Sequence, residues 1–474
     1  MNLTSPLLRS GLALLLLVAV AFALHLPVLG LSFFSDDFSV LHRIGEKRDL
    51  GTGSFFRPLP DWTLYINYLV SGPSPIAFRS INVLLLGFNA WLVFLLGRNL
   101  FGDDALRSPA FIGALLFVCY PFHNEPQLWI IGRSTAMATS FTLLALIAAT
   151  SHSDPITRCL VVGISGALGA MCYELALLLP LMLVPLAVLA SHNERRVRWT
   201  MVVLAAAVAG SNLLLRSMLT GHVANTYGAS FFREGVVSYL DRTGKVIGRL
   251  FLPPNHDPSQ QVWLFAALAS ALALTVFLLI RRTANEPGNR KLMLVLTAIT
   301  GLACGVAIIG GVSTRTSESD RFLYLPSAIL CLLIALVVFT LLRGWMRVTV
   351  LVVLLVGSVI AMRMNHLNWI EASRTIERIV QSTPIPPADG RLLVVGLPSD
   401  HHGAFILRHG YREALTFAGK DASAIHAVEA VPPSHVDDAV INVLNTEDRE
   451  DTLHVTANDR LLIWTAKGFV QVPR

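Results

Sequence analysis

About eleven long apolar stretches run through this chain of 474 residues and restrict it to a membrane fold. Most of them approach the ~20 residues that an α-helix needs to cross a bilayer. Charged residues make up 14% of the chain, against roughly 25% in soluble domains. The sequence therefore predicts an all-α polytopic membrane protein. Its spans are predicted near residues 10–31, 78–98, 108–122, 134–151, 156–173, 174–190, 198–219, 261–280, 291–311, 323–342 and 346–363.

The first stretch has features of a secretory signal peptide. Arg9 precedes an apolar core, and Ala21-Phe22-Ala23 resembles a cleavage site. The apolar run nevertheless continues to about Phe34, which is longer than the apolar core of a typical signal peptide. We therefore predict an uncleaved first span.

Basic residues in the short loops predict the orientation. With the N-terminus inside, four basic loops fall on the cytoplasmic side, as the positive-inside rule requires. These loops lie at 98–107, 195–198, 281–291 and 343–347. Their clustering explains the net charge of +6 without a nucleic-acid partner. The other face is predicted to be the periplasmic face of a bacterial cytoplasmic (inner) membrane, and it carries the loops 32–77, 121–133, 220–260 and 312–322.

The chain is predicted to form two domains. A transmembrane domain covers 1–363, and a Pro-rich linker at 364–387 leads to a small α/β module at 388–474. Two apolar runs in that module, Arg391–Gly396 and Leu461–Trp464, are typical of strands. Outer-face segments 59–70 and 233–252 are predicted to be amphipathic helices. The five cysteines show no CxxC spacing, so no disulfide framework or metal site is predicted.

Adjacent aspartates, Asp36 and Asp37, lie where the first span is predicted to leave the bilayer. Carboxylates at this depth are costly and usually mark function. One of them could instead cap a helix that starts near Phe38, but two neighbouring acids cannot both cap one helix. We therefore predict that at least one is catalytic.

A short outer-face link holds His123, Glu125, Trp129 and Arg133. Trp and Arg are ordinary at a membrane interface. A His and a Glu two residues apart would share one side of an extended segment, which favours a site for sugar or acceptor. Metal ligation has only these two ligands to support it.

Two further charged residues lie at the predicted outer interface. Glu174 separates two nearly contiguous spans, where pairing with an arginine and a direct functional role are both open. Arg321, close to Tyr324, begins the tenth span. It either snorkels to the surface or offers its guanidinium to a phosphate.

The order of these clusters resembles the GT-C glycosyltransferases, in particular the protein O-mannosyltransferase-like branch. That branch has an acidic pair after the first span, a Tyr/Phe-Arg-Pro-Leu sequence and a Phe-His-x-x-Asn-x-Leu-Leu-His stretch that opens the second span. A His-x-Glu link ending in Trp-Ile-x-Gly-Arg comes next. A Lys-Glu span and an Arg-Tyr-Leu-Tyr-Leu-Pro entry follow. The corresponding segments here are Asp36-Asp37, Phe56-Arg57-Pro58-Leu59, Phe78-Arg79 with Asn82, His123 to Arg133, Tyr173-Glu174 and Asp320 to Ser327.

The chain also departs from this pattern. Arg79 and Leu86 stand where the family has two histidines, and Tyr173 replaces its lysine. These departures bear on the acceptor more than on the reaction.

The resemblance implies a polyprenyl-phosphate-linked sugar as donor and no required cofactor or metal. The acceptor, a hydroxyl of a protein, lipid or polysaccharide, stays open. In an inverting transfer a carboxylate takes the acceptor proton, so Asp36 is predicted to be the base, with Asp37 as the alternative. The phosphate leaving group needs cations. The predicted phosphate ligands are Arg57, Arg321 and Arg133, and the predicted sugar or acceptor residues are His123, Glu125, Glu174 and Tyr324.

A transporter or flippase of a lipid-linked sugar is the alternative function. Transporters usually hold ionisable residues near the midplane and have paired halves. Here the acids cluster at the outer rim and no repeat is visible, which favours an enzyme.

Overall fold

The structure is a computed structural model. It describes residues 6–51, 56–102, 105–221, 235–283, 286–387, 389–428, 436–437, 440–444, 450–454, 458–465 and 467–471. The chain divides into two compact units. The first comprises Met1–Leu29 and Leu50–His366, and the second comprises Gly30–Asp49 and Leu367–Arg474.

All regular secondary structure in the described residues of the first unit is helical. Its helices are α1 Pro6–His25, α3 Pro58–Ser71, α4 Pro75–Phe101, α5 Pro109–Val118, α6 Glu125–Leu128, α7 Arg133–Thr150, α8 Pro155–Ala170, α9 Leu179–Val188, α10 His192–Thr220, α11 Val236–Arg249, α12 Pro258–Arg282, α13 Pro287–Ala303, α14 Gly305–Gly310 and α15 Tyr324–Leu341. Short helical turns at Leu26–Val28, Ile130–Gly132, Glu174–Leu178 and Asp320–Leu323 connect them. In the second unit, α2 covers Asp36–Leu41 and the turn His42–Glu46 follows it. The helix α16, Gly344–Ser382, has residues in both units.

Eight helical segments in the described part of the chain are long and apolar enough to cross a membrane, and three shorter apolar helices accompany them. Each coincides with one of the predicted stretches. The polytopic helical fold is therefore confirmed, whereas the number of spans that cross the bilayer stays a prediction.

Small residues and buried amides hold the helices of the first unit together. A Cβ on Gly87 would lie 2.7 Å from the Val18 backbone, so only glycine permits this approach of α4 to α1. Asn89 donates to the carbonyl of Ala136 at 2.9 Å and accepts from the hydroxyl of Ser140 at 2.6 Å. These bonds tie α4 to α7 inside an apolar core, where an unpaired amide would be costly.

The two amphipathic helices predicted on the outer face coincide with α3 and α11. Trp62, Ile66 and Leu69 are exposed on α3, as expected for a helix at a membrane interface. Parts of the loops around them, 52–55 and 222–234, lie outside the described residues.

The second unit contains the predicted α/β module. Its strands are β1 Leu392–Val395, β2 Asp400–His401, β3 Ala404–Phe405, β4 Ile425–Val428, β5 Val436–Asp437, β6 Val440–Leu444, β7 Glu450–His454, β8 Arg460–Thr465 and β9 Gly468–Gln471, with α17 at Tyr411–Phe417. One sheet has the order β4-β1-β8-β9, in which β1 is parallel to both neighbours and β9 is antiparallel. The other strands form the sheets β2-β3 and β5-β6-β7.

The structure differs from the predicted domain boundaries in two places. Helix α16 continues to Ser382, so most of the predicted linker 364–387 is helical. The segment Gly30–Asp49 also belongs to the module and not to the transmembrane domain. Neither feature is visible in apolar patterning: α16 continues in polar residues, and the association of Gly30–Asp49 with the module depends on contacts distant in sequence.

Specific contacts hold the segment 30–49 on the module. The backbone N–H of Ser35 donates to the carbonyl of Ile406 at 2.8 Å, and the Ser35 hydroxyl accepts from the His409 N–H at 3.2 Å. Gly410 has φ +78°, and a Cβ there would lie 2.6 Å from the Ser35 carbonyl oxygen. Glycine is required at this position for both reasons.

Candidate functional site

Glu174 pairs with two arginines at one end of the first unit, which we call the site end. Its carboxylate accepts from Arg57 and from Arg216, each at 3.0 Å. Arg57 directly precedes Pro58, which opens α3 as its first residue, and Arg216 lies in the last turns of α10. Tyr173 is extended (φ −162°, ψ 152°) and separates α8 from the turn that Glu174 begins.

A second pair of ion pairs lies at the same end. The guanidinium of Arg321 binds Glu125, whose other oxygen accepts from the Arg321 backbone N–H at 3.0 Å. The neighbouring Asp320 pairs with Arg249 at 2.6 Å, and both side chains are 2% exposed. Removing either member would leave a buried charge.

Tyr173 links the two groups. The guanidinium of Arg57 lies 4.3 Å from the centre of its ring, a cation–π distance. Nε of Arg321 donates to the Tyr173 hydroxyl at 3.3 Å. Arg57 and Arg321, the two main predicted phosphate ligands, therefore both contact Tyr173: Arg57 contacts its ring and Arg321 its hydroxyl.

Exposure separates the charged side chains of this site. Arg57, Arg321 and Glu174 are 24%, 21% and 23% exposed. Their partners Arg216 and Glu125 are 2% exposed. A ligand can thus reach the first three, whereas the buried groups fix their positions.

Arg133, the third predicted phosphate ligand, is bound to four acceptors of the protein. It is 1% exposed. Its guanidinium donates to the side chains of Asn82 and Asn67, each at 2.8 Å, and to the carbonyls of Thr63 and Phe78 at 3.2 and 3.0 Å. Arg133 therefore holds α3, α4 and α7 together, and its contact with the phosphate stays a prediction.

His123 and Tyr324 pack in the interior and not at a surface where a substrate could reach them. Both are fully buried. Their rings lie 4.8 Å apart, and Nδ1 of His123 bonds to the Ser327 hydroxyl at 2.9 Å. Burial, together with nearby His25, holds the pKa of His123 well below its usual range. Both residues pack in the core, and their predicted contact with the acceptor or sugar stays a prediction.

Asp36 and Asp37 lie in the first turn of α2, in the second unit. Asp37 is fully buried, and its carboxylate accepts from the backbone N–H of Phe34 at 3.1 Å. Asp36 is partly exposed. The two acids therefore differ: Asp37 bonds to the local backbone, and Asp36 offers the more accessible carboxylate.

Sequence reasoning missed the buried partners. Arg216 was counted within a predicted span and Arg249 within an amphipathic helix, and neither received a role. A lone arginine near the end of an apolar span is a signal that could have identified Arg216. No such signal marks Arg249. Among the described residues, no group of three or more His, Cys, Asp or Glu side chains could hold a metal ion.

Comparison with known proteins gives a consistent class. The family model described as "Dolichyl-phosphate-mannose-protein mannosyltransferase" matches residues 57–214. The chain is 28% identical over 153 residues to Protein O-mannosyl-transferase Tmtc1 of Drosophila melanogaster, a match covering 28% of this chain and 18% of that protein. It is 23% identical over 305 residues to Protein O-mannosyl-transferase F38B6.6 of Caenorhabditis elegans, covering 60% and 42%. The matches thus span less than half the length of these relatives.

Two solved structures share the fold. ArnT from Cupriavidus metallidurans bound to undecaprenyl phosphate superposes with a TM-score of 0.52 at 14% identity, covering 94% of this chain and 98% of that one. The archaeal oligosaccharyltransferase AglB from Archaeoglobus fulgidus, in complex with an inhibitory peptide and a dolichol-phosphate, gives 0.51 at 12% identity, covering 89% and 69%.

The family match over residues 57–214, the relatives and the shared fold all support the similarity of this chain to GT-C membrane glycosyltransferases. The resemblance predicted from the motifs is confirmed. The matched region also begins at Arg57 and includes Arg133, Tyr173 and Glu174.

Proposed function

We propose that the chain transfers a sugar from a polyprenyl-phosphate-linked donor to an acceptor hydroxyl. The observation that carries this proposal is the arrangement at the site end, where Arg57 and Arg321 meet at Tyr173 and remain partly exposed. Two guanidinium groups at one accessible position suit a phosphate, because their planar forks match its oxygens. A mannose-like hexose is the proposed sugar, after the family's description.

The donor lipid is proposed from the same chemistry. The matched family is described by dolichyl-phosphate-mannose. The two structural relatives are bound to undecaprenyl phosphate and to a dolichol-phosphate. A phosphate on a long isoprenoid is therefore the ligand class that we propose for Arg57 and Arg321.

The proposed reaction is a single displacement with inversion. The acceptor oxygen attacks the anomeric carbon, and the bond from that carbon to the phosphate oxygen breaks. The acceptor proton passes to a carboxylate, and the electron pair leaves with the polyprenyl phosphate. Arginines stabilise this leaving group electrostatically, so it needs no general acid.

Asp36 is the proposed base, with Asp37 as an orienting partner. This assignment rests on the position of the acidic pair in the motif order, and the partial exposure of Asp36 supports it. The Asp37 carboxylate already accepts from the Phe34 N–H, which suits a residue that orders the turn. Glu125 and Glu174 are proposed to fix the arginines and to border the sugar site.

The proposed setting is the outer face of a bacterial cytoplasmic membrane. The basic loops at the end opposite the site support this orientation through the positive-inside rule. The donor phosphate then lies at headgroup depth on the periplasmic side. The proposed partners are the lipid-linked donor, membrane lipids and an acceptor hydroxyl.

The test is sugar transfer in proteoliposomes that contain the full chain. Radiolabelled polyprenyl-phosphate-mannose is supplied with envelope extract as acceptor, and the wild type is compared with Asp36→Asn, Asp37→Asn and the double variant. We expect Asp36→Asn to lose about 10²-fold or more in rate, as removal of a general base does, and Asp37→Asn to lose less. Full activity in all three variants would exclude the base assignment. Movement of labelled lipid without any new glycosidic bond would favour a transporter instead.

A further inference from the structure

A cavity lies at the end of the first unit that is opposite the candidate site. It has a volume of about 760 Å³, within the range of cavities that hold small ligands. Its walls come from the ends of α4, α9, α12 and α15 and from the starts of α5, α10, α13 and α16. Helix α15 alone spans roughly 27 Å between the two ends, at 1.5 Å per residue over its 18 residues. The cavity is therefore separate from the candidate site.

Five cationic side chains line this cavity together with one carboxylate, Glu286. The cationic residues are Arg198, Arg282, Lys291, Arg343 and Arg347. At the site end Arg57, Arg216, Arg249 and Arg321 each pair with a carboxylate. In the cavity lining five cations accompany one acid, and Arg198 also approaches Glu194 outside the lining at 3.8 Å. A cavity with this excess of positive charge attracts anions.

Two of the four arginines are held in place by the fold. Arg198 donates to the carbonyl of Leu186 at 2.9 Å. Arg347 donates to the carbonyls of Leu342 and Phe339 at 2.9 and 3.2 Å and lies 4.4 Å from the Phe339 ring centre. These bonds leave both guanidinium groups charged and orient them before any ligand binds.

Much of the remaining wall is apolar, although Ser191, Asn289 and Thr340 also line the cavity. Leu100, Phe101, Leu292, Val295 and Leu336 line it. A free phosphate would use only the cations, whereas a lipid phosphate would also place its hydrocarbon against this wall. The positive-inside rule accounts for cations at this end of the helices, but not for their convergence on a cavity with an apolar side.

We infer that this cavity binds the phosphate-bearing headgroup of an anionic lipid, with the phosphate among the five cations and the hydrocarbon along the apolar wall. The site does not depend on the proposed sugar transfer. The cavity lies at the end of the helices that the basic loops predict to face the cytoplasm. Anionic lipid headgroups concentrate in that leaflet of the membrane.

The test measures binding of phosphatidylglycerol to the detergent-solubilised full chain by native mass spectrometry. The variant Lys291→Gln/Arg343→Gln removes two cavity charges, and Arg195→Gln/Arg290→Gln removes two exposed charges at the same end that do not line the cavity. We expect the first variant to raise the dissociation constant on the order of tenfold and the control to change it less than twofold. Both must keep the wild-type melting temperature; otherwise the single variant Arg282→Gln replaces the first.

Three results would overturn the inference. An equal loss in both double variants would mean that only the overall charge attracts the lipid. No loss in either would mean that the cavity is not the binding site. Displacement of phosphatidylglycerol by inorganic phosphate, with the same dependence on Lys291 and Arg343, would assign the cavity to free phosphate and not to a lipid.

Discussion

The two ends of the first unit hold their arginines in opposite ways. At the site end, Arg216 and Arg249 are buried and each meets a carboxylate within 3.0 Å. At the other end, five cationic side chains share a cavity with the single acid Glu286. Ion pairs at the site end fix the positions of the buried side chains. The excess of cations in the cavity produces a positive potential that attracts an anion. Arginines at the site end are thus bound to acids of the protein itself, whereas the cations of the cavity are the ones that we propose to bind a ligand.

The largest expected difference between the ends comes from removing one acid at each. Asp320→Asn leaves the buried Arg249 without its charge partner, so we expect the free energy of unfolding to fall by about 3–5 kcal/mol. Glu286→Gln changes an exposed residue and should not shift the melting temperature measurably. Thermal unfolding in detergent, followed by circular dichroism, gives both values. Equal melting temperatures for Asp320→Asn and Glu286→Gln would contradict the proposed difference between the two ends.

A smaller difference is expected from replacing arginine by lysine at each end. Arg133→Lys removes the fork that donates to Asn82, Asn67 and two carbonyls, and should cost about 2–3 kcal/mol, since buried acceptors lose their donors. Arg343→Lys retains the charge of an exposed cavity residue. It should leave both melting temperature and lipid binding close to wild type. Strong destabilisation by Arg343→Lys would show that the arginines of the cavity end also contribute to the stability of the fold.

The smallest effect concerns the aromatic ring that links the exposed arginines. Tyr173→Phe keeps the ring beside Arg57 but removes the hydroxyl that accepts from Arg321. We expect a loss of about 1 kcal/mol in stability, the usual contribution of one hydrogen bond. Tyr173→Ala should lose more because the cation–π contact disappears as well. Chemical denaturation of the two variants side by side would separate the contributions, and equal losses would show that the ring contact adds nothing.

Much of the membrane fold could be predicted from the sequence. Apolar windows located each of the helices that are long or apolar enough for a span, because burial in lipid demands about 20 apolar residues in succession. Boundaries were less accurate: α16 continues to Ser382 although its apolar part ends near 363. Polar residues continue this helix, and no turn signal interrupts them before Pro384.

The candidate site was predicted in part. Motif order identified Arg57, Glu125, Glu174 and Arg321, which the structure brings together. It could not show which of the motif residues are buried. Arg133 looked as available as Arg57 in sequence, yet four acceptors already surround it, and these lie on helices 51 to 70 residues away along the chain.

The association of Gly30–Asp49 with the C-terminal module was also beyond sequence reasoning. It depends on backbone bonds such as that from Ser35 to Ile406, which join residues more than 370 positions apart. No local pattern marks such a pairing, because every residue type carries the same backbone donor and acceptor.

The central claim is that Arg57 and Arg321 hold the phosphate of a lipid-linked donor. The most direct measurement is the affinity of polyprenyl phosphate for the full chain in nanodiscs, comparing the wild type with Arg57→Gln and with the exposed control Arg290→Gln. Arg57→Gln leaves Glu174 paired with Arg216, so the site end should remain folded. The account predicts that Arg57→Gln weakens binding on the order of tenfold or more, since a charge-assisted bond contributes about 1.5–3 kcal/mol, and that Arg290→Gln leaves it unchanged. Wild-type affinity in Arg57→Gln would contradict the account.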